Sequence, residues 1–261
     1  MRNHPQRSAP ALAGLALAVF TIGAVSGAEG PLTTKPAYLY RTTFVRAAPG
    51  KLPDLIALYQ GRMAVIEAAG DAQPLWWRHT QGDQWDLMLL TPMGSYAEYY
   101  AKGRVARRDR AAAASGVAAE DFARELDACS SWKEDLFVYG PPLETVKKSF
   151  EGTGYYHIEI FVSLPGKEAE LYKEREMENV YAIESGRPYN MIFVRDQGAS
   201  WDLFTLGCYR DLQHWAGSSG LTKDQREAAA RKAGFKSADD IGTYMRTLID
   251  MHRDTMGVAI K

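Results

Sequence analysis

Cysteine is scarce in this chain, with Cys129 and Cys208 the two examples in 261 residues. Two thiols cannot build a disulfide framework in a chain of this size, which leaves either two small buried residues or one isolated bridge, and the spacing does not decide between them. No Cys-x-x-Cys pair, no Gly-x-x-x-x-Gly-Lys-Ser/Thr loop and no Gly-x-Ser-x-Gly elbow occurs. Thioredoxin-like redox chemistry, phosphate-loop nucleotide hydrolysis and the α/β-hydrolase nucleophile are therefore set aside. Histidine is also sparse, five in all, without the His-x-x-x-His or Glu-x-x-His spacing that places two ligands on one helix face, so no metal is expected. Charge of one sign is missing too: the formal balance is -1, which excludes the basic footprint of a nucleic-acid binder.

Long apolar runs are confined to the N-terminus. Arg2 and Arg7 precede the apolar stretch Ala11 to Val25, which ends in the small residues Ser26, Gly27 and Ala28. That is the pattern of a secretory signal peptide over residues 1-28, and no later stretch reaches the roughly 20 apolar residues a transmembrane helix needs. The expected product is periplasmic or secreted, without stable membrane insertion. Its formal charge falls to -3, because two Arg and no acid leave with the signal.

The main positive feature is an internal repeat. Pro49-Gly50-Lys51 recurs as Pro165-Gly166-Lys167, an offset of 116, and the same offset carries Gln81-Gly82 to Gln197-Gly198 and Trp85-Asp86-Leu87 to Trp201-Asp202-Leu203. Between Tyr38 and Tyr100, 12 of 63 positions are identical to their counterparts without a gap, and the match resumes with small gaps toward the end of each copy. Each copy opens with an aromatic and β-branched strand, Tyr38 to Arg46 or Tyr155 to Leu164. A helix follows, about Pro53 to Ala69 or Glu168 to Glu184, closed by Gly70 or Gly186. Next comes a hairpin, Leu75 to Leu90 or Met191 to Leu206, then helical sequence reaching Trp132 or His252, and short final strands, Leu136 to Tyr139 and Met256 to Ile260.

The order β-α-β-β-α-β is the ferredoxin-like unit, so the fold class is α+β with two such units in tandem and extra helices in each. On this order, the Pro-Gly-Lys turn and the Trp-Asp hairpin, the sequence resembles the dimeric α/β-barrel superfamily, with both units in one chain. The resemblance implies two antiparallel sheets facing each other as a pseudo-dimeric barrel; two separate beads are the alternative. The expected divisions are a first unit over 29-142, a linker over 143-153 and a second unit over 154-261.

If helices cover one face of each sheet, polar residues on the other face line any cavity between the units. Strand alternation nominates Arg41 and Thr43, whose counterparts are His157 and Glu159, together with His79 and its counterpart Arg195, and Asp86 with Asp202. His157, Glu159 and Arg195 form the candidate catalytic cluster, an acid-base or anion-holding group. Arg41, Thr43, His79, Asp86, Asp202, Trp77 and Phe193 form the candidate ligand wall. The competing reading is ion pairing, Arg41 with Asp86 and Arg195 with Glu159 or Asp202. Because related barrels include haem proteins, His157 is the best axial candidate, but one imidazole with no attachment motif argues for no cofactor. Three functions remain: a small-molecule binder for an aromatic or apolar ligand between the units, an enzyme resembling cofactor-independent monooxygenases, and a non-catalytic interaction protein. Oligomeric state is not legible.

Overall fold

The computed structural model describes residues 36-260 apart from 117-118 and 218-219; the segment 1-28 expected to be a signal peptide lies outside the described residues. In chain order the elements are β1 (Tyr38–Ala47), α1 (Leu52–Ala68), β2 (Leu75–Gln81), β3 (Leu87–Gly94), α2 (Tyr96–Tyr99), α3 (Lys102–Ala114), α4 (Ala119–Cys129) and β4 (Ser130–Gly140). After α5 (Leu143–Phe150) come β5 (Tyr155–Ser163), α6 (Glu168–Glu184), β6 (Met191–Gln197), β7 (Leu203–Tyr209), α7 (Leu212–Ala216), α8 (Lys223–Ala233), α9 (Asp240–Arg246) and β8 (Ile249–Ala259).

The eight strands close into one antiparallel barrel in the order β1-β3-β2-β8-β5-β7-β6-β4. Each unit supplies four strands, and two seams join them. At one, Trp77 of β2 pairs with Ala259 of β8 and His79 with Gly257; at the other, Val138 of β4 pairs with Arg195 of β6. Closure leaves no sheet edge with unpaired backbone groups, which two separate beads would each expose. The first seam needs a glycine: a Cβ at Gly257 would lie 2.5 Å from the Trp77 ring.

Alternation along each strand separates two environments. Tyr40, Phe44, Trp77, Met88, Leu90, Leu136, Ile158, Phe193, Phe204 and Leu206 point inward and form one apolar core. Val45, Leu87 and Leu89 point outward and pack under Leu55, Tyr59 and Met63 of α1, while Phe161 and Leu203 pack under Leu171 of α6. α1 and α6 each end in a glycine with positive φ, Gly70 at 75° and Gly186 at 71°, the left-handed helix stop that other residues adopt only with strain.

The repeated Trp-Asp pair has a structural job in both units. Asp86 donates its N–H to the Val45 carbonyl and accepts the Ala47 N–H on its side chain at 2.8 Å; Asp202 repeats this with Phe161 and Ser163, the latter at 2.8 Å. The carboxylate thus satisfies a backbone donor at the end of the unit's first strand.

Two expectations change. The last strands are longer than their apolar runs: β4 starts at Ser130 and β8 at Ile249, so Trp132 and His252 are strand residues and not helical. Pairing along the full length of β1 and β5 keeps even the charged ends of these strands in the ladder. The linker contains α5, whose Val146 is fully buried and whose Phe150 ring lies 5.8 Å from Trp77 and 4.9 Å from Tyr156, so this helix stoppers one mouth of the barrel. Cys129 and Cys208 are both free, with Cys208 in the barrel core and Cys129 on the helix side of the sheet. Burial pushes the Cys208 thiol up to about 12, which leaves it unreactive.

Candidate functional site

Arg41 and Thr43 sit on the outward face of β1, under the helices, and His157 and Glu159 hold the same place on β5. His79 and Arg195 belong to the opposite, inward face near the open mouth. The expected convergence of His157, Glu159 and Arg195 therefore does not form: a sheet separates Arg195 from the other two. Arg195 bonds Asp202 at 2.7 Å and the Ala199 carbonyl at 3.1 Å; His79 lies 4.0 Å from Asp86 and edge-on to Trp85 at 5.8 Å. Trp77 and Phe193 are fully buried in the barrel core and present no surface to a ligand. The barrel interior is filled by apolar side chains, among them Tyr40, Phe44, Trp77, Phe193 and Phe204, so the space expected between the units shrinks to a recess. That recess is about 300 Å³ at the open mouth, walled by Phe44, Trp85, Trp132, Ile160 and Trp201, with Glu134 and Arg253 at its rim.

A second cavity, about 320 Å³, lies between the first unit's sheet and its helices. Its floor is Arg41 and Thr43 of β1, Leu89 and Thr91 of β3, and Lys133 and Asp135 of β4; its roof is Tyr59, Arg62, Met63 and Ile66 of α1 with Phe122 and Leu126 of α4. The polar groups divide into satisfied and unsatisfied ones. Asp135 accepts from Thr43 at 2.5 Å and lies 3.9 Å from Arg41 Nε and 3.4 Å from Lys133. At the far wall Asp71 accepts from Arg104 at 2.7 Å and Arg108 at 2.6 Å, and both guanidinium groups cover the Tyr99 ring. Burial alone would raise the Asp71 pKa, but these two hydrogen bonds and charges outweigh it and hold the carboxyl below its ordinary range.

Arg62 is different. It lies over the Phe122 ring at 5.1 Å, and its buried Nη1, like Arg41 Nε, has no hydrogen-bond partner among the described residues. Burial lowers its pKa, the sign of a cation held in poorly solvated surroundings. Sequence reasoning passed over Arg62, Tyr59 and Asp135. Arg62 had a signal, a lone charge within the apolar stripe Leu55, Tyr59, Met63 and Ile66 of α1; Asp135 had none, since Thr43 and Arg41 reach it from another strand.

In the second unit the equivalent space holds charge instead. Glu174 and Arg175 of α6 replace Leu58 and Tyr59 of α1 and are 0% and 2% exposed. Arg175 Nε donates to Glu174 at 2.6 Å, its Nη1 reaches Glu178 at 2.5 Å, and its guanidinium covers the Phe161 ring. Burial raises the Glu174 carboxyl to about 7 against the lowering effect of Arg175. Beneath it His157 Nε2 meets Asp254 at 2.9 Å, and Glu159 accepts from Thr205 at 2.8 Å and Asn190 at 3.4 Å.

The strand order, the closed barrel and the helices on its outer face decide the architecture. The chain has the dimeric α/β-barrel fold. No protein-family model matches the sequence, and no curated protein matches it significantly. Among solved structures, an anthrone oxidase-like protein aligns with a TM-score of 0.51 at 11% identity, over 86% of this chain and 92% of that one. A candidate monooxygenase from Lactobacillus acidophilus aligns at 0.49 with 10% identity, over 85% and 93%, and a heme-binding protein from Thermus thermophilus at 0.40 with 15% identity, over 86% and 92%. Such identities speak to fold alone. Haem is a poor fit beside His157: its Nε2 is already paired with Asp254 at 2.9 Å, and the carboxylates of Glu159, Glu174 and Glu178 stand close by. Among the described residues no helix is long and apolar enough to cross a membrane.

Proposed function

We propose that this α/β barrel is an exported protein that binds a small aromatic or apolar acid, without a cofactor, in the cavity between sheet and helices of the first unit. The observation that carries this reading is Arg62, a cation with an unpartnered, buried nitrogen above an apolar and aromatic chamber. A buried guanidinium nitrogen without a partner forfeits its hydration, and an incoming carboxylate or phenolate restores it through a charge-assisted bond. Arg41 Nε adds a second donor at the floor, and Tyr59, Phe122 and Met63 supply apolar walls.

Thermal shift and calorimetry with 1-naphthoate and its neutral amide test this reading. Naphthoate raises the melting temperature, the amide does not, and Arg62→Gln weakens naphthoate binding about tenfold or more. Equal binding of acid and amide, unchanged in the Arg62→Gln protein, sinks the idea. Binding lost on filling the mouth recess by Ser200→Trp, and kept in Arg62→Gln, moves the site to the recess. Fractionation of an expressing host tests the export reading, with the processed chain expected outside the cytoplasm.

A second reading, an enzyme of the cofactor-independent monooxygenase type, draws on the anthrone oxidase-like fold neighbour and on the His157–Asp254 pair, in which a carboxylate orients an imidazole. Under it, oxygen uptake with an activated phenol or anthrone disappears in His157→Ala while the melting temperature holds.

A further inference from the structure

The two units place the same acid in the same position but surround it differently. Asp135 faces Thr43 across the β1–β4 pair, and Asp254 faces Glu159 across β5–β8, so the two Asp are equivalent through the repeat. Around Asp135 stand two permanent cations, Arg41 and Lys133. In the second unit their places are taken by His157 and His252, and Thr43 becomes Glu159. Two fixed positive charges are lost and one carboxylate is gained.

Among the described residues two guanidinium groups act on these carboxylates. Arg175 is committed to Glu174 and Glu178, and Arg187, which lowers the Glu178 pKa by its charge, donates to the Trp215 carbonyl at 3.3 Å. Glu159 has neutral partners, the Thr205 hydroxyl and the Asn190 amide. Asp254 has imidazoles, His157 at 2.9 Å and His252 at 3.3 Å. Above them the fully buried Glu174, close enough to Glu159 for the two charges to repel, keeps one carboxylate oxygen with no partner. One ligand atom each of His157, Glu159 and Asp254 lies within 4.8 Å of the others, close enough for one ion to reach all three after small side-chain rotations.

We propose that the second unit binds a first-row divalent cation through His157, Glu159 and Asp254. One imidazole nitrogen with two carboxylate oxygens favours zinc, cobalt or manganese over magnesium, which prefers oxygen alone. The ion supplies the positive charge that Arg41 and Lys133 supply in the first unit. It leaves coordination positions open, since three protein ligands do not fill a first-row ion's sphere.

Metal-stripped, tag-free protein is titrated with zinc or cobalt chloride and analysed by equilibrium dialysis and elemental mass spectrometry. One ion per chain is expected, with a rise in melting temperature on addition and a far weaker response to magnesium. Glu159→Gln and Asp254→Asn keep the side-chain shape and weaken binding at least tenfold; His157→Gln also removes cobalt's imidazole-shifted visible absorption. His214→Gln, outside the cluster, changes nothing. Sub-stoichiometric binding by the wild type, magnesium binding as tightly as zinc, or folded variants that bind as the wild type does would each overturn the proposal. Circular dichroism of each variant separates loss of a ligand from loss of the fold.

Discussion

Asp71 shows what a single residue contributes here. Its carboxylate joins Arg104 and Arg108 of α3 to the turn after α1, and its side chain is 8% exposed. Asp71→Asn leaves two partly buried guanidinium groups without a counter-charge, so a loss of about 2 kcal/mol in urea denaturation at pH 7 is expected. The pH dependence has a definite sign. Because the folded carboxyl is held below its ordinary value, its contribution is complete above about pH 4 and is lost as pH falls through the lowered folded value. The gap between wild type and Asp71→Asn therefore closes in acid and stays constant from about pH 5 to 8; a gap that widens in acid would contradict this assignment. Arg62 was legible as an oddity in the α1 stripe, whereas the meaning of Asp135 and Asp254 was not, because the partners that define each site, Arg41 and Thr43 or His157, lie across a strand pair.

Among the elements, α5 departs furthest from its sequence reading. Eight residues between the units fold as a helix because Leu143, Val146 and Phe150 recur at helical spacing and find an apolar barrel mouth to cover. Tyr40 ties the preceding turn down by donating its hydroxyl proton to the Pro141 carbonyl at 2.7 Å. Truncating the partly buried Phe150 to Ala opens a gap beside Trp77 and Tyr156, with an expected cost of about 2 to 3 kcal/mol in urea denaturation. A change under about 0.5 kcal/mol would mean that the mouth tolerates being open. The strands were legible by alternation, but which face was inside was not. Assigning polar positions such as Arg41 and His157 to the interior reversed the two faces of β1 and β5, since both faces carry apolar neighbours: one packs on the opposing sheet, the other on helices.

For the whole molecule, closure is the property that neither unit holds alone. A first unit expressed by itself over residues 29-142 exposes the edges of β2 and β4 and the inward aromatics Tyr40, Phe44 and Trp77. It is expected to aggregate or to pair with a second copy of itself, and not to persist as a folded monomer, which light scattering after size exclusion would reveal. A stable monomer with native-like hydrogen-exchange protection would show instead that the seams contribute little.

The sequence by itself determined the duplication, the α+β element order and the turn chemistry, because these depend on local signals such as glycine stops, strand alternation and the Trp-Asp clamp. Only the tertiary structure decided which face of each sheet is core, where the cavities lie and which charges meet. Those outcomes depend on pairings far apart in the chain, Thr43 with Asp135 and Glu159 with Asp254, and such partners are chosen by barrel closure and register, which no local pattern encodes.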